Sequence, residues 1–146
     1  MRSALRAFAA VLAALFLLAL LALPQLLQRT LLFEGGERYE FYSGRPGSDA
    51  RITGASAEDA ARVRFFLPNV TGESARYADA EDAFAQAERY GAELLFTEYC
   101  ADVVNYYYYS ARLGGGVEVC GRTVNLHVAL RGGAACVGSP LIFGGY

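Results

Sequence analysis

From Ala7 to Leu27 the chain is almost unbroken apolar, interrupted only by Pro24 and Gln25, with Arg2 and Arg6 standing ahead of the run. A helix needs about 20 apolar residues to cross a bilayer core of roughly 30 Å, so residues 5–27 are long enough to do so. The alternative, a core helix buried on all sides, is uncommon at this length. A cleaved secretory signal has a shorter apolar core of about 7–15 residues that ends in small residues. Ala19 and Ala22 do not form a clean cleavage triplet, so a retained signal anchor is expected. Arg2 and Arg6 keep the N-terminus in the cytoplasm by the positive-inside rule. The layout expected is an anchor over residues 1–29, a linker over 30–36 and an extracytoplasmic domain over 37–146.

Charge then narrows the partners. Residues 34–146 carry ten arginines against fifteen acidic residues, a net charge of −5. A nucleic-acid interface needs a basic face to neutralise phosphates, so no nucleic-acid partner is expected. There is no lysine, and the arginines are scattered rather than clustered. Cys100, Cys120 and Cys136 make an odd number in the exported part, which permits at most one internal disulfide. Their spacing contains no C-x-x-C pair, so no metal site and no thioredoxin-type centre is expected, nor any other cofactor. Reduced, they would serve as small apolar residues.

The domain reads as α+β. Glu37–Ser43 alternates like a strand, and 44–54 is a loop rich in Gly, Pro, Ser and Asp. Ser56 can cap a helix starting at Ala57 and ending before Pro68, although Val63, Phe65 and Leu67 also alternate like a strand. Glu73–Tyr77 is a short strand. Asp79 caps a second helix with Ala80, Ala83, Phe84, Ala87 and Tyr90 on one face, and Gly91 stops it. Ala92–Tyr99 is apolar on both parities in its middle, as in a central strand covered on both faces. Val103–Tyr109 is a further strand.

Beyond Val117 the register can be argued. A type II′ turn at Gly121-Arg122 sets Val119 opposite Val124, and a turn at Gly132-Gly133 sets Leu130 opposite Ala135 and Val128 opposite Val137. Both turns keep the apolar residues on one face of an antiparallel meander. Cys120 and Cys136 then lie about six residues apart along the strands, roughly 20 Å, too far for a disulfide. The architecture expected is one domain with a largely antiparallel sheet and two helices packed on it, preceded by one N-terminal transmembrane helix.

Residues 124–131, Val-Asn-Leu-His-Val-Ala-Leu-Arg, followed by Val137-Gly138-Ser139-Pro140-Leu141-Ile142, resemble the terminal signature of the YwmB-like family. These are exported proteins of spore-forming Gram-positive bacteria, labelled TATA-box-binding-protein-like after their fold. His127 stands where the family has Gln, and the match covers only this C-terminal stretch. The resemblance implies an exported α+β module of the cell envelope. It implies no DNA binding and brings no catalytic residues.

Among candidate site residues, Tyr106, Tyr107, Tyr108 and Tyr109 stand out. Alternation along a strand sends two toward the core and two to the other side. The exposed pair could offer rigid amphipathic area to a glycan or a partner protein. Asn125 and His127 share the face opposite the apolar one. A nucleophilic pair of His127 with Cys120 or Cys136 is the enzymatic alternative, giving an envelope hydrolase, but no flanking signature supports it. Glu93 and Glu98 have opposite parity and do not form a carboxylate pair, and 114–116 precedes a strand and lacks the helix of a phosphate loop. The leading expectation is a non-enzymatic binding or assembly module at the cell membrane. It would present Tyr106–Tyr109 or the Asn125/His127 face to an envelope protein or glycan.

Overall fold

A computed structural model describes Phe8 and residues 10–19, 30–44 and 51–144. Phe8 and residues 10–19 are helical and exposed. The rest of the expected membrane segment over 5–27 lies outside the described residues, as do 45–50 of the expected loop. No helix among the described residues is long and apolar enough to cross a membrane. The chain divides into two compact units, residues 1–30 and residues 31–146.

The second unit is α+β. Its elements are β1 (Arg38–Ser43), β2 (Arg51–Ser56), α1 (Ala60–Phe66), β3 (Val70–Tyr77), α2 (Ala80–Arg89), β4 (Glu93–Cys100), β5 (Val103–Tyr109), β6 (Val117–Val119), β7 (Arg122–Val124), β8 (Leu126–Arg131) and β9 (Ala134–Ser139). Seven strands form one sheet in the order β2-β1-β3-β9-β8-β5-β4, and β6 and β7 form a separate ribbon. Every pairing in the large sheet is antiparallel. β1 lies between β2 and β3, and this three-stranded part meets the β9-β8-β5-β4 part where β3 pairs with β9.

Local chemistry accounts for α2. The Asp79 carboxylate accepts from the Glu81 N–H at 2.9 Å, and Glu81 and Asp82 place negative charge at the positive end of the helix dipole. Gly91 ends it at φ +56°, a conformation a β-carbon disfavours. Ala83 and Ala87 face the sheet, and their small side chains let α2 lie close over β3, β8 and β9. The core beneath holds Tyr39, Phe41, Ala75, Tyr77, Leu126, Val128 and Val137, with Phe84 edge-on to Tyr106 at 5.1 Å. Helix α1 begins at Ala60, three residues later than the capping pattern suggested. Ser56 caps a turn instead, its Oγ accepting from the Asp59 N–H at 3.4 Å.

Four other sequence expectations are corrected. Residues 51–54, expected to end the 44–54 loop, belong instead to the edge strand β2, because pairing with β1 outweighs their local composition. The strand expected at the centre, now β4, is the opposite edge, with Leu94 48% and Tyr99 79% exposed. The first hairpin turns one residue earlier than expected. Cys120 and Gly121 both adopt positive φ, 51° and 72°, as a type I′ turn requires. Val117 therefore pairs with Val124, and Val119 with Arg122. The Gly132-Gly133 turn and its register, Leu130 with Ala135 and Val128 with Val137, are as expected.

The fourth correction concerns residues 30–36. Phe33 is fully buried, and the backbone N–H groups of Leu32 and Phe33 donate to Glu73 Oε1 at 2.9 and 3.2 Å. Tyr77 donates to the Glu34 carbonyl at 2.8 Å, and Tyr39 to that of Phe33 at 3.2 Å. Leu31–Glu34 is thus part of the packed domain, tied down by side chains from β1 and β3 that are distant in sequence.

Candidate functional site

One face of the sheet is occupied by the helices and the core. The other is organised in rows that cross the strands. One row runs Gly54, Glu40, Ser74, Gly138, His127, Tyr107, Phe96. The next runs Ser56, Arg38, Arg76, Cys136, Ala129, Asn105, Glu98.

The C-terminal segment covers part of the first row. A β-carbon on Gly138 would lie 2.8 Å from Ile142 Cγ1 and 3.0 Å from the Leu141 carbonyl oxygen. Glycine there lets the chain after Pro140 fold back across the sheet. The Ile142 N–H donates to His127 Nδ1 at 3.4 Å, and the Phe143 N–H to the Tyr42 hydroxyl at 3.2 Å. The Phe143 ring meets Tyr42 edge-on at 5.0 Å. Tyr42 and His127 are therefore buried although they point away from the helices. The Arg38–Arg76–Cys136 stretch of the second row stays open.

Asn125 and His127 do not present a face to a partner. Asn125 is fully buried at the break between β7 and β8. Its Oδ1 accepts from the Ser110 N–H at 2.7 Å, and its Nδ2 donates to the Ser110 and Leu113 carbonyls at 2.8 and 3.0 Å. It holds the 110–113 loop to the sheet. Replacing it with Ala strands an N–H and two carbonyls, and each buried orphan costs about 1–3 kcal/mol. Asn125→Ala is expected to lower stability by about 2–4 kcal/mol, read from denaturant unfolding. A loss below about 0.5 kcal/mol, as at an ordinary surface site, would show the network to be unimportant.

His127 lies between the Tyr107 ring, stacked at 4.6 Å and 11°, and its Asn105 partner, with Nε2 3.0 Å from Asn105 Oδ1. Because Nδ1 accepts from Ile142, Nε2 carries the proton and donates to Asn105. Burial holds its pKa down at about 4. Phe96 stacks on the other side of Tyr107 at 4.6 Å and 25°. Tyr107 thus has a ring stacked on each of its faces and presents no free ring face to a partner. Tyr106 and Tyr108 pack against the core, as alternation requires. Tyr109 is 42% exposed at the strand end. The four tyrosines thus do not make one flat platform.

All three cysteines are free thiols. Cys100 and Cys120 are exposed, against the expectation of small buried residues. Cys136 is half-buried, pairs with Ala129, and lies one diagonal step from His127. Burial and the Glu40 carboxylate push its thiol up to about 11, against the pull of Arg76 and a Ser74 hydrogen bond. Both His127 nitrogens are engaged by partners other than this thiol. The geometry therefore gives the pair no thiolate and no base. Among the described residues, no group of three or more His, Cys, Asp or Glu could hold a metal ion.

What the open strip does contain is arginine. Arg38 and Arg76 are directly opposed on neighbouring strands, both exposed. They line a cavity of about 250 Å³ with Glu40, Ser74 and Cys136. A second cavity of about 380 Å³ shares Arg76 and Cys136 and extends to Ala129, Arg131, Asp102 and the Gly132 turn. Arg131 is paired with Asp102 at 2.8 Å. Each strand carries Arg followed by a buried Tyr, Arg38-Tyr39 and Arg76-Tyr77. That repeat places both arginines on the outer face, a signal the sequence offered. Their adjacency comes from the pairing of β1 with β3.

No family model, no curated protein and no solved structure matches this chain.

Proposed function

We propose that the chain is a non-enzymatic binding or assembly module of the bacterial cell envelope, held at the membrane by residues 5–27 with residues 37–146 outside the cytoplasm. The C-terminal resemblance to the YwmB-like family supports this placement, and Val137-Gly138-Ser139-Pro140 has a structural use in returning the chain over the sheet. One observation carries the binding reading. The sheet has one face covered by its core and keeps on the other an open, concave, arginine-bearing strip from Arg38 to Arg131. The Cys-His hydrolase alternative draws no support from His127, whose ring nitrogens are both engaged.

Two measurements test the proposal. A membrane-impermeant maleimide should label the exposed Cys100 and Cys120 in intact cells as fully as in lysed ones, and labelling only after lysis would place the domain on the wrong side. For binding, the tagged full-length chain is cross-linked in cells and recovered from membranes, with partners identified by mass. Ala134→Trp should fill the strip at an exposed cavity-lining position and reduce recovery of specific partners about 10-fold, the loss of roughly 1.4 kcal/mol. Equal recovery with and without the Trp would remove the open strip as the binding face.

A further inference from the structure

Cross-strand neighbours of like charge are destabilising, because their β-carbons lie only about 4.5–5.5 Å apart. Arg38 and Arg76 are such a pair, directly opposed, in a domain with five more acidic residues than basic ones. Neither makes a salt bridge among the described residues, whereas Arg62, Arg89 and Arg131 each have a carboxylate at 2.7–2.8 Å. Glu40 lines the same cavity, but its carboxylate sits against Gly144 of the returning C-terminal segment. One carboxylate against two guanidinium groups leaves the strip net positive.

We propose that this strip binds a phosphoryl group, clasped between Arg38 and Arg76, with Ser74 and Cys136 as its floor. The inference rests on the module reading and names its ligand chemistry. Two guanidinium forks present ten N–H donors in total, more than the roughly four lone-pair positions of a carboxylate can use. A phosphoryl group has three terminal oxygens and up to two negative charges, and arginine forks match it in bidentate fashion. Ser74 is 2% exposed, and its Oγ already accepts from the Tyr42 hydroxyl at 2.7 Å, so the floor is rigid. The adjoining cavity along Arg76, Cys136 and Ala129 gives room for the rest of a phosphate ester. A soluble ester and a lipid headgroup share this chemistry.

The test uses the full-length chain in maltoside micelles, which contain no phosphate. The side-chain Nε–H resonances of Arg38 and Arg76 are followed by NMR while inorganic phosphate is added. Saturable shifts at both are expected. Arg38→Gln and Arg76→Gln should each weaken binding about 10-fold or more, as loss of a charge-assisted hydrogen bond predicts. Arg62→Gln, on an exposed ion pair of α1, should leave it unchanged. Both tested arginines are exposed, so the backbone amide spectrum should stay intact and report any loss of fold. A non-saturating drift, equal affinity for acetate, or equal weakening by Arg62→Gln would overturn the proposal. Nanodiscs with and without phosphatidylglycerol then assign the source. Signals already shifted in the anionic discs identify a lipid headgroup, and unaltered phosphate titration in both discs identifies a soluble ester. A negative phosphate result with Ala134→Trp still reducing capture removes the phosphoryl ligand and leaves the module. The reverse pattern removes the partner and keeps the ligand.

Discussion

Glu73→Gln and His127→Gln are expected to tilt the pH dependence of stability in opposite directions. Glu73 lies fully buried on β3. Burial raises its pKa from 4.5 to about 7, against the pull of the Phe33 and Leu32 N–H groups and of Arg64. Its neutral form is therefore the one the fold prefers. The associated stability is fully present below pH 4.5 and is lost as pH rises through about 7. His127 is the mirror case. Its pKa is lowered from 6.5 to about 4, so its contribution is present above pH 6.5 and lost as pH falls through about 4. Each displacement corresponds to about 3 kcal/mol. Over the shared window the two slopes cancel, and the wild-type chain should be nearly flat. Glu73→Gln keeps an acceptor for Leu32 and Phe33, and its stability should rise by about 3 kcal/mol from pH 4 to 6.5. His127→Gln should instead lose about as much from pH 4.5 to 7. Urea midpoints at intervals from pH 4 to 8 read both slopes, whatever constant offset each substitution adds. Parallel curves for all three proteins would sink the assignment.

Phe33→Ala should cost about 3–5 kcal/mol, the usual loss for a fully buried phenylalanine. Against a total stability of about 5–15 kcal/mol, this is a large fraction. The ring is 0% exposed and meets Tyr90 edge-on at 6.3 Å. Around it, Tyr90 and Arg89 donate to the Leu32 carbonyl and the Glu34 N–H donates to Gln86 Oε1 at 3.2 Å. Loss of the ring frees one end of that network. A true linker residue would change stability by less than about 0.5 kcal/mol, so denaturant unfolding separates the two roles. The result also bears on any shortened form of the protein. A chain starting at Gly36 lacks the groups that satisfy Glu73, whereas one starting at Thr30 retains them.

The misread strands and turns share a cause. Ala92–Tyr99 looked central because Leu94, Leu95 and Phe96 are consecutive, yet a β-bulge between Leu94 and Phe96 inserts a residue and breaks the alternation. The Gly121-Arg122 turn was placed by Gly at the first position of a type II′ turn, and Cys120 at φ 51° took that first position in a type I′ turn. Each was decided by which strands were available to pair.

Some of the architecture was fixed by sequence alone. Asp79, Gly91 and the alanine face define α2, and Gly132-Gly133 with its flanking parity defines the β8–β9 register. Alternation likewise sends two of Tyr106–Tyr109 to the core side, and the structure identifies them as Tyr106 and Tyr108. These act over a few residues, where caps, positive φ and side-chain alternation dominate. Only the tertiary structure decided that β3 joins β9, that residues 31–34 dock on a buried Glu73, and that the tail crosses Gly138 to bury His127 and Tyr42. It also set Arg38 against Arg76. Such contacts join segments up to about a hundred residues apart, as Tyr42 and Phe143 do. No local preference encodes them, because their free energy comes from burying two surfaces together.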